Sequence, residues 1–211
     1  MNDIDKLQQL YTGIHNCRRC PSIFPSLVPR RVIESASDSE IVLVAQAPSE
    51  AGVRKSGLHW AGCDSELRRP GGVFLDKYLR LIGYSVDPRE QVYPRPYTTN
   101  VLHCWTGRRG KRDRKPSPIE LSNCKSWLLM EFEIIKPKVM ILLGQLAADS
   151  FACTCGECLS FSKLLGRQGE MISFGELPLF CFVLPHPSAP YPGKSELYSK
   201  VIQQIGGLLR V

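Results

Sequence analysis

A chain of 211 residues with 43% hydrophobic and 22% charged side chains has the length and composition of one globular domain with a substantial core. No apolar run approaches the roughly 18 residues of a membrane span, and Met1 to Leu10 is too polar for a secretory signal, so the expected setting is the cytoplasm, near the nucleoid in a prokaryote. A net charge of +7 suits a polyanionic partner without separating DNA, RNA and membrane surface, and nine cysteines in a reducing compartment are read first for metal-ligand spacing.

Ile4, Leu7, Leu10 and Tyr11 fall at helical spacing, which predicts a short amphipathic helix over 3–14. It runs into Cys17-Arg18-Arg19-Cys20, where two sulfurs can face one centre. Pro21 to Arg31 is rich in proline and reads as an irregular crossing segment. Residues 1–40 are thus expected to be a helix and a ligand-bearing segment packed on a single domain spanning 1–211.

Ile41 to Ala45 is a continuous apolar run, as in a parallel strand buried on both faces. It breaks into Gln46-Ala47-Pro48-Ser49-Glu50-Ala51-Gly52, at the place where open α/β sheets put ligand sites. The loop continues to Asp64. It offers an aromatic face in Trp60, carboxylates in Glu50 and Asp64, and glycines that allow close backbone approach. Val73, Phe74, Tyr78, Leu79, Leu81 and Ile82 then fit a helix ending near Gly83.

Thr98 to His103 has the content of a short buried strand carrying a polar Asn100. It ends at Cys104 and opens into a cationic run containing Arg108, Arg109, Lys111, Arg112, Arg114 and Lys115. Ser117 and Pro118 suit the cap and first position of the next helix, which carries Cys124 and buries Trp127, Leu128, Met130 and Phe132. Val139 to Leu143 is another buried strand, ending at Gly144. Cys153, Cys155 and Cys158 read as a surface insertion without a catalytic role. Leu179 to Leu184 is a strand ending in Pro185-His186-Pro187-Ser188, and a last helix covers about 196–209.

Four strands separated by helical stretches predict an α/β fold, a three-layer α/β/α arrangement with a central, mainly parallel four-stranded sheet. Three strand ends carrying polar or aromatic candidates would then share one edge. Cys17, Cys20, Cys104 and Cys124 form a Cys-x2-Cys, long gap, Cys, shorter gap, Cys pattern. Four thiolates suit tetrahedral zinc or an iron–sulfur cluster, and spacing alone does not choose.

Ala47-Pro48 followed by Gly57-x-x-Trp60, then Thr99-Asn100-Val101-x-x-Cys104, Leu143-Gly144-x-x-Ala147 and His186-Pro187-Ser188, resemble the uracil-DNA glycosylase superfamily in its iron–sulfur branch. The resemblance spans Cys17 to Ala189. It implies a structural 4Fe–4S cluster on Cys17, Cys20, Cys104 and Cys124. It also implies a monomeric, monofunctional hydrolase that flips uracil out of DNA, single- or double-stranded, and leaves an abasic site. Trp60 would stack on the base, Asn100 would read its edge by an amide that both donates and accepts, and Gln46 and Ala47 would line the pocket. His186 would stabilise charge growing on the base oxygen, Ser188 would contact a phosphate, and Tyr191 would enter the space the base vacates.

Two departures bear on the water that attacks the sugar. The branch commonly starts the first loop with Gly-Glu, where this chain has Ala45-Gln46, and Gly52 stands where one group has a carboxylate. Asp64 is therefore the first candidate to activate water and Glu50 the second. The cations from Arg108 to Lys115 would meet phosphates, each contact adding a salt slope of about −0.9 on duplex DNA. Three alternatives stay open: a glycosylase of wider range acting on hypoxanthine, a non-catalytic binder of damaged or single-stranded DNA, and a zinc-stabilised nucleic-acid module.

Overall fold

A computed structural model describes residues 2–20, 23–25, 39–49, 56–68, 70–110, 112–155 and 161–210. Its centre is a sheet of five strands, β1 (Ile41–Ala45), β2 (Tyr97–Asn100), β3 (Val139–Leu143), β4 (Glu170–Phe174) and β5 (Leu177–Leu184). The spatial order is β2-β1-β3-β5-β4, with the first four strands parallel and β4 antiparallel on the far edge.

Alternation along the strands explains the layers. Val42, Val44, Met140 and Leu142 pack with α1 (Asp3–His15), α3 (Pro118–Ile135) and α4 (Gln145–Cys155). Ile41, Leu43, Val139 and Ile141 face α2 (Gly71–Leu79) and α5 (Lys194–Leu208) on the other side. A strand covered on both faces has no solvent side for polar residues, which is why these runs are apolar throughout. Each fully buried aliphatic side chain contributes about 1.5–3 kcal/mol.

The fifth strand, β4, was not among those expected from sequence. It alternates in exposure, with Ile172 and Phe174 buried and Glu170, Met171 and Ser173 outward. An antiparallel edge strand needs only one apolar face, so it lacks a continuous run. Its hairpin to β5 turns at Gly175, φ +64°. The strand foreseen over 98–103 is β2 and stops at Asn100. Cys104–Trp105 instead pairs antiparallel with Phe24–Pro25. Among the described residues no helix is long and apolar enough to cross a membrane.

Helix starts follow their sequence signals. The Asn2 side chain accepts from the Asp5 N–H at 2.8 Å and caps α1. Ser117 caps α3, accepting from the Glu120 N–H, while Glu120 accepts from the Ser117 N–H at 2.7 Å. Arg114 closes on the same carboxylate through both terminal nitrogens. Its hydrogen bonds lead the causes that bring Glu120 from an ordinary 4.5 down to about 2.

A depressed carboxylate stabilises the fold above its unfolded value and loses that contribution as it is protonated. Melting temperature is therefore expected to fall between pH 4.5 and 2 partly through this group. Glu120→Gln should be less stable at neutral pH, on the order of 1 kcal/mol after screening at part-exposed Arg114, and should show a flatter acid limb.

Candidate functional site

A cavity of about 270 Å³ opens at the C-terminal edge of the sheet. Parallel register sets Ala45 beside Asn100, so the ends of β1 and β2 form its floor. The pairing continues past the strands, with the Val101 N–H donating to Ala45 O at 2.9 Å and the Leu102 N–H to Gln46 O at 3.0 Å. Asn100 is only 5% exposed, lines the cavity, and has no side-chain hydrogen-bond partner among the described residues. Its amide opens onto the cavity, where it can both donate to and accept from a polar ligand.

Trp60 forms a wall at φ +64°, a left-handed conformation that costs a non-glycine residue on the order of 1 kcal/mol or more. The Arg68 N–H donates to its carbonyl at 2.8 Å. Gly72 lies so close that a Cβ there would sit 2.3 Å from the same oxygen. The backbone of Trp60 is thus closely held, and its indole centroid lies 5.8 Å from that of His186.

His186 is held from several sides. The Ser188 N–H donates to Nδ1 at 3.2 Å, so the neutral ring carries its proton on Nε2. Burial, and then the Lys194 charge, pull its pKa below the ordinary value and favour that neutral form. Lys194 Nζ ties down the carbonyls of Pro187 and Ala189, and Tyr198 Oη donates to Pro185 O at 2.6 Å. Gly144, at φ +96°, lets β3 end 3.0 Å from the His186 Cβ, measured from where its own Cβ would stand.

Ala47, Pro48, Ser49 and Ser188 also line the cavity, whereas half-buried Gln46 does not. Two lining residues were missed in the sequence, His59 and Arg68. Burial brings His59 down to about 4, overriding the opposite pull of Glu131. Its only sequence signal was its place beside Trp60. Asp64 is not brought to the cavity. It is exposed, and its Oδ1 accepts from the Glu66 N–H at 2.9 Å within its own turn. Glu50 lies outside the described residues.

The cationic run forms a small hairpin, Arg108–Arg109 against Arg112–Asp113. Arg108, Arg109 and Lys115 are exposed. Arg114 is clamped to Glu120 and anchors the base of the loop rather than extending from it. Lys111 and the side chain of Arg112 lie outside the described residues. Tyr191 is 39% exposed at the surface beyond Ser188.

Cys17, Cys20, Cys104 and Cys124 line one small cavity with Ile14, Ile23, Leu102 and Trp127. Burial, then the sulfurs of Cys124, Cys17 and Cys20, push the Cys104 thiol up to about 12. Among the described residues no three His, Cys, Asp or Glu side chains converge on a single-ion site. Zinc would require sulfurs about 2.3 Å from one centre. A cluster with one thiolate on each iron spaces them more widely. Trp127 Nε1 is buried without a partner among the described residues, a donor suited to a sulfur acceptor. Four thiols around one small cavity are a donor set of the kind that holds a metal centre.

Residues 33–205 match the sequence profile of the Uracil DNA glycosylase superfamily. A type-4 uracil-DNA glycosylase of Archaeoglobus fulgidus is 30% identical, over 97% of this chain and 94% of its own. One from Thermotoga maritima is 31% identical over 90% and 85%, and a type-5 uracil-DNA glycosylase of Pyrobaculum aerophilum 26% over 82% and 79%. Matched over most of its length by profile and relatives alike, the chain belongs to the uracil-DNA glycosylase superfamily.

Proposed function

We propose that the protein hydrolyses the N-glycosidic bond of uracil in DNA as a monomeric, monofunctional glycosylase that leaves an abasic site. The observation that carries this reading is the convergence on one cavity of an indole, an amide without a protein partner among the described residues and a neutral imidazole with its proton on Nε2. A base inside a duplex cannot reach such a cavity, so the nucleotide is flipped out first.

Trp60 then stacks on the ring. The Asn100 amide donates to the O4 carbonyl and accepts from N3–H, a pair of contacts that cytosine would reverse. As the bond to the sugar breaks, negative charge grows on the base, and His186 Nε2–H donates to O2. A neutral donor already in place costs no reorganisation at that moment. The cation of Arg68 in the same cavity favours the departing anion. Of the two carboxylates considered for orienting water, Asp64 faces its own turn. Glu50, the second of the two, lies outside the described residues, and we assign the water to it from its place in the sequence alone.

Arg108, Arg109 and Lys115 supply phosphate contacts, with Ser188 nearer the flipped nucleotide and Tyr191 at the vacated space. Cys17, Cys20, Cys104 and Cys124 would hold a 4Fe–4S cluster, which would supply a rigid cross-link between segments and no redox step. The setting is the cytoplasm, wherever the chromosome lies. One observation favours a second reading of wider range that includes hypoxanthine: His59 adds a polar group beyond those the uracil edge engages.

In single-turnover assays on uracil-containing DNA, Asn100→Ala and His186→Ala are each expected to slow base release about 10²–10³-fold. Glu50→Gln should fall comparably and Asp64→Asn stay near wild type. Absence of uracil release by the intact protein would overturn the reading, and release from inosine DNA alone would favour the wider-range alternative. The cluster assignment predicts that freshly purified protein absorbs broadly in the visible and that Cys104→Ala or Cys124→Ala loses the colour. Colour retained in both variants would remove those ligands.

A further inference from the structure

One buried charge in this molecule takes no part in the chemistry above. Glu131, one turn from the C-terminal end of α3, is fully buried. Its Oε1 accepts from Tyr11 Oη at 2.5 Å and from Tyr97 Oη at 2.6 Å. Its Oε2 accepts from Thr99 Oγ1 at 2.7 Å and lies 2.9 Å from His103 Nε2. Burial alone would raise its pKa. The charge and hydrogen bond of His103, with the two phenols, outweigh that and hold it below the ordinary carboxylate range.

The four partners come from α1, β2 and the turn that follows β2. Two of them, Tyr97 and Thr99, belong to the strand that ends on Asn100. Among the described residues that strand is the outermost of the sheet on its side and pairs with β1 alone. One ladder fixes its distance and register to β1, but leaves its tilt out of the sheet to side-chain packing. Apolar packing is non-directional and tolerates small slides. A desolvated carboxylate does not, because its acceptor positions are filled by four groups in fixed directions. Moving β2 relative to α3 would break bonds to a buried charge, each far more costly to lose than a contact between methyl groups.

We infer that Glu131 is a positioning residue for base recognition, locking the free flank of β2 to α3 so that the Asn100 amide is presented at one height in the cavity. The carboxylate touches neither base nor sugar and acts through Thr99 and Tyr97. His103 carries the same lock onward, its Nδ1 standing 3.2 Å from Cys124 Sγ on the same helix. The thiol cavity and the base-reading strand are thereby tied to one rigid helix. A misplacement of a fraction of an ångström is enough to weaken a two-point contact to a base edge.

The inference rests on the reading of the cavity as a uracil site, and its test uses two ligands that divide the roles. Free uracil reports the base-edge contacts, whereas DNA carrying a stable abasic-site analogue binds without a base. Glu131→Gln removes the charge, and Thr99→Val deletes one hydrogen bond to Oε2 at nearly constant shape, outside the lining of the cavity. Uracil affinity is expected to fall about tenfold in Glu131→Gln and severalfold in Thr99→Val, on the scale of lost bonds to a charged group. Affinity for abasic-site DNA and the visible absorption should stay within about twofold of wild type in Thr99→Val, as for well-separated sites.

Uracil affinity unchanged in Thr99→Val and in folded Glu131→Gln would overturn the inference, as would a parallel loss of abasic-site binding, the mark of general destabilisation. Wild-type protein that binds abasic-site DNA but not uracil would overturn the uracil reading itself. Normal wild-type uracil binding with unaffected variants would overturn only the role of Glu131.

Discussion

Parallel register places Ala45 beside Asn100 and Leu143 beside Leu184, so the strands of the central sheet finish along one edge. At such an edge the ladder no longer occupies every backbone group, and the chain must turn away. The residues at those turns are free to be polar because they no longer face a helix layer. Gly144 and the His186 loop meet there within van der Waals distance. The cavity is a consequence of strand ends meeting, with the loops from Ala45 to Ser49 and from Leu58 to Gly72 closing its sides.

Two kinds of order hold that edge. Backbone order comes from the left-handed Trp60, the tight approach of Gly72 to its carbonyl, and the Lys194 bridge across the His186 loop. Electrostatic order comes from Glu131, buried among two phenols, a threonine and a histidine. The thiol cavity lies on the same helix as that carboxylate, seven residues from it in sequence at Cys124.

How legible each part was depends on how local its signal is. The runs at Ile41 to Ala45 and Val139 to Leu143 announce themselves because burial on both faces removes every polar residue. β4 does not, since one solvent face breaks its apolar pattern. The Ser117 cap and Pro118 could be read from sequence, but the grip of Glu120 on the cap and of Arg114 on Glu120 could not. In sequence Arg114 is one more cation in a basic run. Trp60, Asn100 and His186 were found through motifs whose order matched a family, and they surround one cavity. His59 and Arg68 escaped because a lone residue in a loop has no periodicity. Asp64 was favoured because the loop resembles a group with an aspartate just after the aromatic, yet its carboxylate accepts within its own turn. Glu131 resembles any helical glutamate until the tertiary structure surrounds it.

The most direct measurement is a crystal structure with free uracil bound. The account predicts one uracil in the cavity, stacked on Trp60, with the Asn100 amide on its N3 and O4 edge and His186 Nε2 within hydrogen-bond distance of O2. Uracil bound elsewhere, or in the cavity with Asn100 turned away from it, would contradict the assignment of this strand edge as the base-reading site.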